Sequence, residues 1–438
     1  MASADATQTA SSGALLVRWQ GVITPDQAVL KRLEGLAGLL LLALFTGLPF
    51  FTRTGLALVI AACGVLWLLW CLCSPPPQRI GTISRWLMLF LAIAIVATGC
   101  SPVPIAASKG LIKLLSYLGV YALLCKLLLS NSRWWNRLIA GLLSGGLFSS
   151  VLALRQLYAS SEELAGWADP NSISAGTVRI YGPLGNPNLL AGYLLPLIPF
   201  AAIALVRWRG VGAQLFAGTT LVLAATATLF TYSRGGWLGM VAAGAVLLLL
   251  LLLRWTRHWP PLWRRLVPLA VLLVGAACLV VAATQIDPIR TRITSLLAGR
   301  GDSSNNFRIN VWMAAIQMVQ DRPWLGIGPG NTAFNSIYPL YQQPKFNALS
   351  AYSVPLEILV ETGIPGLLAC LGLLVSSLRQ GLKQLHADAP SALASIASLA
   401  AIAGLLMQGS TDTIFFRPEV QLIGWFALAS LVSRPRES

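Results

Sequence analysis

The sequence predicts an all-α integral membrane protein, a polytopic helical bundle of about twelve transmembrane helices with one large extracytoplasmic loop between spans 9 and 10. Three observations predict it. Of 438 residues, 56% are hydrophobic and only 11% are charged, against roughly 25% charged in soluble domains. Mean hydropathy is +0.71. Apolar runs of about 18 residues or more, each long enough to cross a bilayer, recur along the whole length, and one polar stretch interrupts them.

Residues 1–32 are polar, lack the basic, apolar and small-residue regions of a secretory signal, and read as a cytoplasmic arm, with Arg18 and Trp19 as an interfacial anchor. Residues 33–284 hold spans 1 to 9, at about 33–51, 56–73, 85–100, 111–129, 138–158, 189–206, 214–231, 237–253 and 266–284. The run of prolines Pro75–Pro77 ends span 2, because proline lacks the N–H that a continuing helix needs. Asn186 caps span 6, with Pro187 at its first helical position. A polar loop at 159–188 carries Glu162, Glu163 and Asp169. Residues 285–353 form the large periplasmic loop, which starts at Asp287 and Pro288. Within it Arg308 to Gln320 has helical periodicity, with Ile309, Trp312, Met313, Ile316 and Val319 on one apolar face and Asn305 or Asn306 as cap. That helix lies either on the membrane or against a core of the loop's own. Spans at about 354–377, 393–412 and 419–433, with a short cytoplasmic tail, complete 354–438.

Net charge is +16. In a soluble chain such an excess would suggest nucleic acid, but here the basic residues flank membrane helices and set their orientation. With the N-terminus inside, the inward segments carry 18 Lys and Arg, the short outward ones 7 and the long loop 6. Both termini are therefore expected in the cytoplasm, in the plasma membrane of a bacterium, and the loop outside. The halves show no inverted repeat of the kind that builds alternating-access transporters. The seven cysteines lie mostly in apolar runs (Cys63, Cys71, Cys278, Cys370), without metal-binding spacing, and the two histidines, His258 and His386, fall in basic inward loops. No metal site is expected.

Few residues can carry chemistry. Arg234 sits in a tight turn, Ser233–Gly236, between two apolar spans, where charge is costly and often functional. Its guanidinium suits a phosphate or carboxylate, although an interfacial anchor is the plain alternative. Arg308, at the head of the loop helix, is a second anion ligand or an ordinary solvated charge. Trp324–Asn331 alternates Gly326, Gly328 and Gly330 without the strand of a dinucleotide fingerprint. It reads as a turn whose N–H groups could hold an anion. Glu357 and Glu361 share a helix face, and Asp412 lies near Arg417. Pairing with Arg234, Arg308 or Arg417 is the plainer role for all three carboxylates.

Four segments, GPLGNPNLLAGY, TYSRGGW, FRINVWMAAIQMVQDRPWLGIGPGN and PLEILVETGIPGLL, together resemble the O-antigen ligase and polymerase superfamily. The likeness covers roughly 180–370, and the hydropathy plan extends it over the chain. The resemblance implies transfer of a glycan from an undecaprenyl-diphosphate carrier without metal, nucleotide or other cofactor. It also implies diphosphate ligands at Arg234 and Arg308, with Asn186, Asn188, Glu357 and Glu361 in support. Family ligases carry a histidine where this chain has Tyr352. Tyrosine, with a reference pKa of about 10, is no base at neutral pH, so no catalytic residue is assigned with it. The AYSVPLEI variant is similar to the cyanobacterial IctB branch, associated with inorganic-carbon accumulation, which implies bicarbonate as the anion. Three readings follow: a membrane protein of bicarbonate accumulation or transport, a glycosyltransferase on a lipid-linked glycan, and a non-catalytic regulatory or binding subunit with a protein partner.

Overall fold

The computed structural model describes residues 27–74, 80–158, 179–285, 290, 294, 298–387 and 389–432. Arg18 and Trp19, the acidic residues 162–169, the loop's start at Asp287 and Pro288, and the tail beyond Val432 lie outside them. The described residues form helices joined by turns and loops, with no strand among them. In chain order the helices are α1 Gln27–Gly47, α2 Arg53–Leu72, α3 Thr82–Gly99, α4 Pro104–Ser130, α5 Arg133–Arg155, α6 Pro187–Leu194, α7 Leu197–Arg207, α8 Val211–Phe230, α9 Arg234–Trp255 and α10 Pro261–Gln285. Then come α11 Ser303–Asp321, α12 Asn331–Ile337, α13 Val354–Gln384, α14 Ala389–Gly409 and α15 Pro418–Val432. Ten spans among the described residues are long and apolar enough to cross a membrane, α6 and α7 counting as one; α15 is shorter. Lys31, Arg32 and Glu34 crowd the start of α1. The structure thus gives ten such spans among the described residues where about twelve were expected, α1 and α15 being the two helices that fall short.

A chain of edge-on aromatic contacts, Phe45 to Phe426 to Phe200 to Trp135, ties α1, α15, α7 and α5 at the bundle's centre, with ring centroids 5.4–6.4 Å apart. Against α14, helix α9 packs with small residues. A methyl group on Gly239 would come within 2.8 Å of the Gly404 carbonyl, and one on Gly235 within 3.0 Å of Thr411. In lipid, where water does not drive helices together, such close backbone approach is a main source of helix association. It sets the start of α9, and Arg234 with it, beside the end of α14.

Helix α13 is broken. Gly363 has φ 68° and ψ −169°, with Pro365 just after it. The backbone groups released by the break are taken by the Gly/Pro turn. Ile327 and Gly328 donate to the Val360 and Glu361 carbonyls at 2.9 Å, and Ile364 donates to Pro323 at 2.8 Å. The Gly330 N–H goes to the Glu361 carboxylate at 2.7 Å. Irregular backbone is tolerated at membrane depth only where protein satisfies it, and here it does. The N–H groups of the turn are thus committed, and the turn reading of Trp324–Asn331 holds over the anion reading.

Around this turn sits a second core of Ala107, Val311, Ala314, Met318, Ile327, Phe334, Tyr338 and Val360. It corrects the expected face of the loop helix. Asn310, Val311, Ala314, Ala315 and Met318 are the buried positions of α11 and Val319 packs against the same core, whereas Met313 and Ile316 are nearly half exposed. Ala314 and Ala315 let α11 settle onto the ends of the spans, and of the expected stripe Met313 and Ile316 turn away.

Candidate functional site

The loop meets one end of the bundle, where the ends of α3, α8 and α14 face the starts of α4, α6, α9, α13 and α15. There the polar residues converge.

Ser233 caps α9 by accepting the Gly236 N–H at 3.2 Å, which aims Arg234 out of the first turn. Its Nη2 meets the Asp302 carboxylate at 2.9 Å and its Nη1 meets Asn305 Oδ1 at 2.7 Å. Asp302 is fully buried and itself caps α11, accepting the Asn305 N–H at 3.1 Å. The expected cap at Asn305 or Asn306 is therefore corrected to Asp302, whose charge also matches the positive end of the helix dipole. Sequence reasoning missed Asp302. The available signal was an Asp three residues before an Asn at the head of a helical run.

Arg308 lies in the second turn of α11. Its Nη1 donates to Ser304 at 3.1 Å, while its buried Nε bonds no described residue. Burial pushes the guanidinium below its ordinary range, and the Asp412 carboxylate works against that shift. Asp412 is buried in the link between α14 and α15. Burial raises its pKa above the usual 3.8, opposed by Arg308 and by hydrogen bonds from Thr413, Ile414 and Asn188. Asn188 Nδ2 donates to Asp412 at 3.0 Å, and Asn188 Oδ1 accepts from Arg179 at 2.7 Å. Asn186 caps α6 as expected, accepting the N–H groups of Asn188 and Leu189 at 2.8 and 3.2 Å. It fixes the helix that carries Asn188. Arg179, anchored on the Thr231 carbonyl at 2.9 Å, is a third cation here that the sequence did not single out.

Tyr352 packs edge-on against Phe307 of α11 at 5.4 Å. Burial pushes its phenol up, with the Asp412 charge adding to the shift, so it stays protonated at neutral pH. Its φ is 50°, and Tyr232 beside Arg234 has φ 49°. Left-handed backbone is uncommon away from glycine and clusters at functional sites. Ser350 bonds Thr413, next to Asp412.

Among the described residues, Glu357 and Glu361 form no ion pair with arginine. Glu357 is buried and accepts the Ala351 N–H, while Glu361 accepts Gly330 and lies within electrostatic reach of Lys113. Arg417 sits 3.7 Å from Glu419 rather than on Asp412. The pairing expectation is corrected on these points: the carboxylate on Arg234 is Asp302, and the glutamates brace the loop. A cavity of ≈ 240 Å³ lies between α3, α4, α13, α14 and α15, lined by neither Arg308 nor Asp412. Lys113, Glu361 and Gln421 stand in a wall otherwise largely made of Leu, Phe, Ile and Trp.

Residues 219–371 match the model of the family described as O-Antigen ligase. No curated protein matches the chain. The matched stretch carries Arg234, Asp302, Arg308 and Tyr352, whereas Asn188 and Asp412 lie outside it. The chain is thus an integral membrane protein with an O-antigen ligase-like domain.

Proposed function

We propose that the chain is a glycosyltransferase of the ligase/polymerase kind, which holds the diphosphate of a polyprenyl-linked glycan at Arg308 and passes the glycan to a hydroxyl acceptor. One observation carries the reading: a buried guanidinium edge, faced by a buried carboxylate, at the loop end of a membrane bundle. Arg308 Nε bonds no described residue, and a phosphate oxygen is the acceptor its geometry suits. Arg179 and Asn188 extend the polar surface, and the cavity between the spans offers a largely apolar wall to a hydrocarbon chain.

In this reading the acceptor hydroxyl attacks the anomeric carbon, the bond from that carbon to the phosphate oxygen breaks, and the diphosphate leaves on its lipid. The hydroxyl proton passes to Asp412. A carboxylate whose pKa is raised by burial is a better proton acceptor than an exposed one, and it fills the role a histidine would have at Tyr352. The inorganic-carbon reading rests on the motif likeness alone. The cavity's largely hydrocarbon wall suits a lipid chain better than bicarbonate.

The test supplies radiolabelled undecaprenyl-diphosphate oligosaccharide to proteoliposomes holding wild-type protein, Arg308→Ala or Asp412→Asn. Consumption of the labelled lipid by wild type, lost in both variants, supports the reading. A wild type that neither binds nor consumes it, while it takes up labelled bicarbonate in a parallel assay, would replace this reading with the transport one.

A further inference from the structure

Arg234 already holds an anion. Its two terminal nitrogens are engaged by Asp302 at 2.9 Å and Asn305 at 2.7 Å, and the side chains of the ion pair are 8% and 0% exposed. Asp302 is also the cap of α11. An incoming anion can use that end of Arg234 only by moving Asp302, and so by loosening the first turn of the loop helix. We infer that Asp302 is a built-in competing anion that makes the site selective for polyanionic headgroups. This rests on the lipid-diphosphate reading above and goes beyond it by naming the residue that discriminates.

A ligand with a single anionic group would replace one anion by another at Arg234 and leave Asp302 buried without its cation, a costly state. A diphosphate also reaches the second cation, since Arg234 and Arg308 lie within electrostatic reach of each other and Asp302 acts on Arg308 as well. The ligand thus gains contacts at Arg308 that a single anionic group at Arg234 cannot make, and these offset the displacement of Asp302. The pair sits out of water, where salt does little to weaken the competition.

Asp302→Asn isolates the charge, because Asn caps helices as well as Asp does. Purified full-length protein in lipid nanodiscs is titrated with farnesyl diphosphate, farnesyl monophosphate and bicarbonate. Wild type prefers the diphosphate. In Asp302→Asn the monophosphate tightens by about tenfold, the scale of one charge-assisted hydrogen bond, and the preference narrows. An unchanged preference overturns the inference, as does a loss of affinity for both polyprenyl probes matching that of Arg234→Ala. Hydrogen exchange on wild type gives a second measurement should the variant not fold. Farnesyl diphosphate should speed exchange at residues 303–306, and slowed or unchanged exchange there overturns the inference too. If wild type binds neither polyprenyl probe but Asp302→Asn acquires bicarbonate binding, the competing anion stands and the polyprenyl reading falls. If neither protein binds any of the three, both fall.

Discussion

Asp412 and Arg308 set each other's behaviour, and pH reads that coupling. Burial holds the Asp412 pKa above the usual 3.8, so folding favours its protonated form. That contribution to stability is present below the unfolded-state value and is lost as pH rises through the folded one. Activity has the opposite slope, since only the ionised carboxylate takes a proton. Glycan consumption should therefore rise across an acid limb lying above the ordinary aspartate range, and Asp412→Asn should abolish both limb and activity. Arg308→Lys keeps the charge but loses the planar fork. It should leave the limb in place while weakening farnesyl diphosphate binding by about tenfold, measured by titration. Single residues were unevenly legible. Asn186 showed itself because a cap and its proline are adjacent in sequence. The pairing of Asp302 with Arg234 spans 68 residues, and nothing local announces it.

At the scale of elements, the break in α13 decides where the loop sits. The apolar run beyond Val354 was legible as a span, because length and hydropathy are local properties. The break inside it was not, although Gly363 and Pro365 mark it in retrospect. Positive φ at a non-glycine costs about 1–2 kcal/mol. A Cβ on Gly363 would also lie 2.4 Å from the Trp324 carbonyl carbon, and overpacking of that kind costs about 1–3 kcal/mol. Gly363→Ala should thus destabilise the protein by roughly 3 kcal/mol and detach the turn from α13. Thermal unfolding in detergent, with hydrogen exchange at Ile327 and Gly328, measures it; an unchanged melting temperature with both amides still protected would show that the turn does not depend on the break. The buried face of α11 was not legible either, because helical periodicity picks the bulkiest stripe, whereas the surface the helix packs on is not local in the sequence.

At the scale of the whole molecule, charge is sorted between the two ends. The described carboxylates Asp302, Asp321, Glu357, Glu361, Asp412 and Glu419 all lie at the loop end, and only Glu34 lies at the other. Arg133, Arg137, Arg209, Arg257, Arg264, Arg265, Arg379 and Lys383 are exposed at that other end. Arg254 there caps the end of α13 through the Leu385 carbonyl at 2.6 Å, and Arg207 reaches the Pro390 carbonyl at 2.9 Å. Unbalanced basic charge in short loops marks the cytoplasmic side. The loop, its competing anion and the Arg308 site should consequently face outward, where a lipid-linked glycan would be presented. In a variant with the seven native cysteines replaced, a single cysteine at Ser336, exposed on α12, should react in intact cells with a maleimide that cannot cross membranes. A cysteine at Ser132, exposed at the opposite end, should react only after the cells are opened. The reverse pattern would put the arginines in the cytoplasm and remove the topological support for the glycan reading, while leaving the anion chemistry of Arg308 and Asp302 intact.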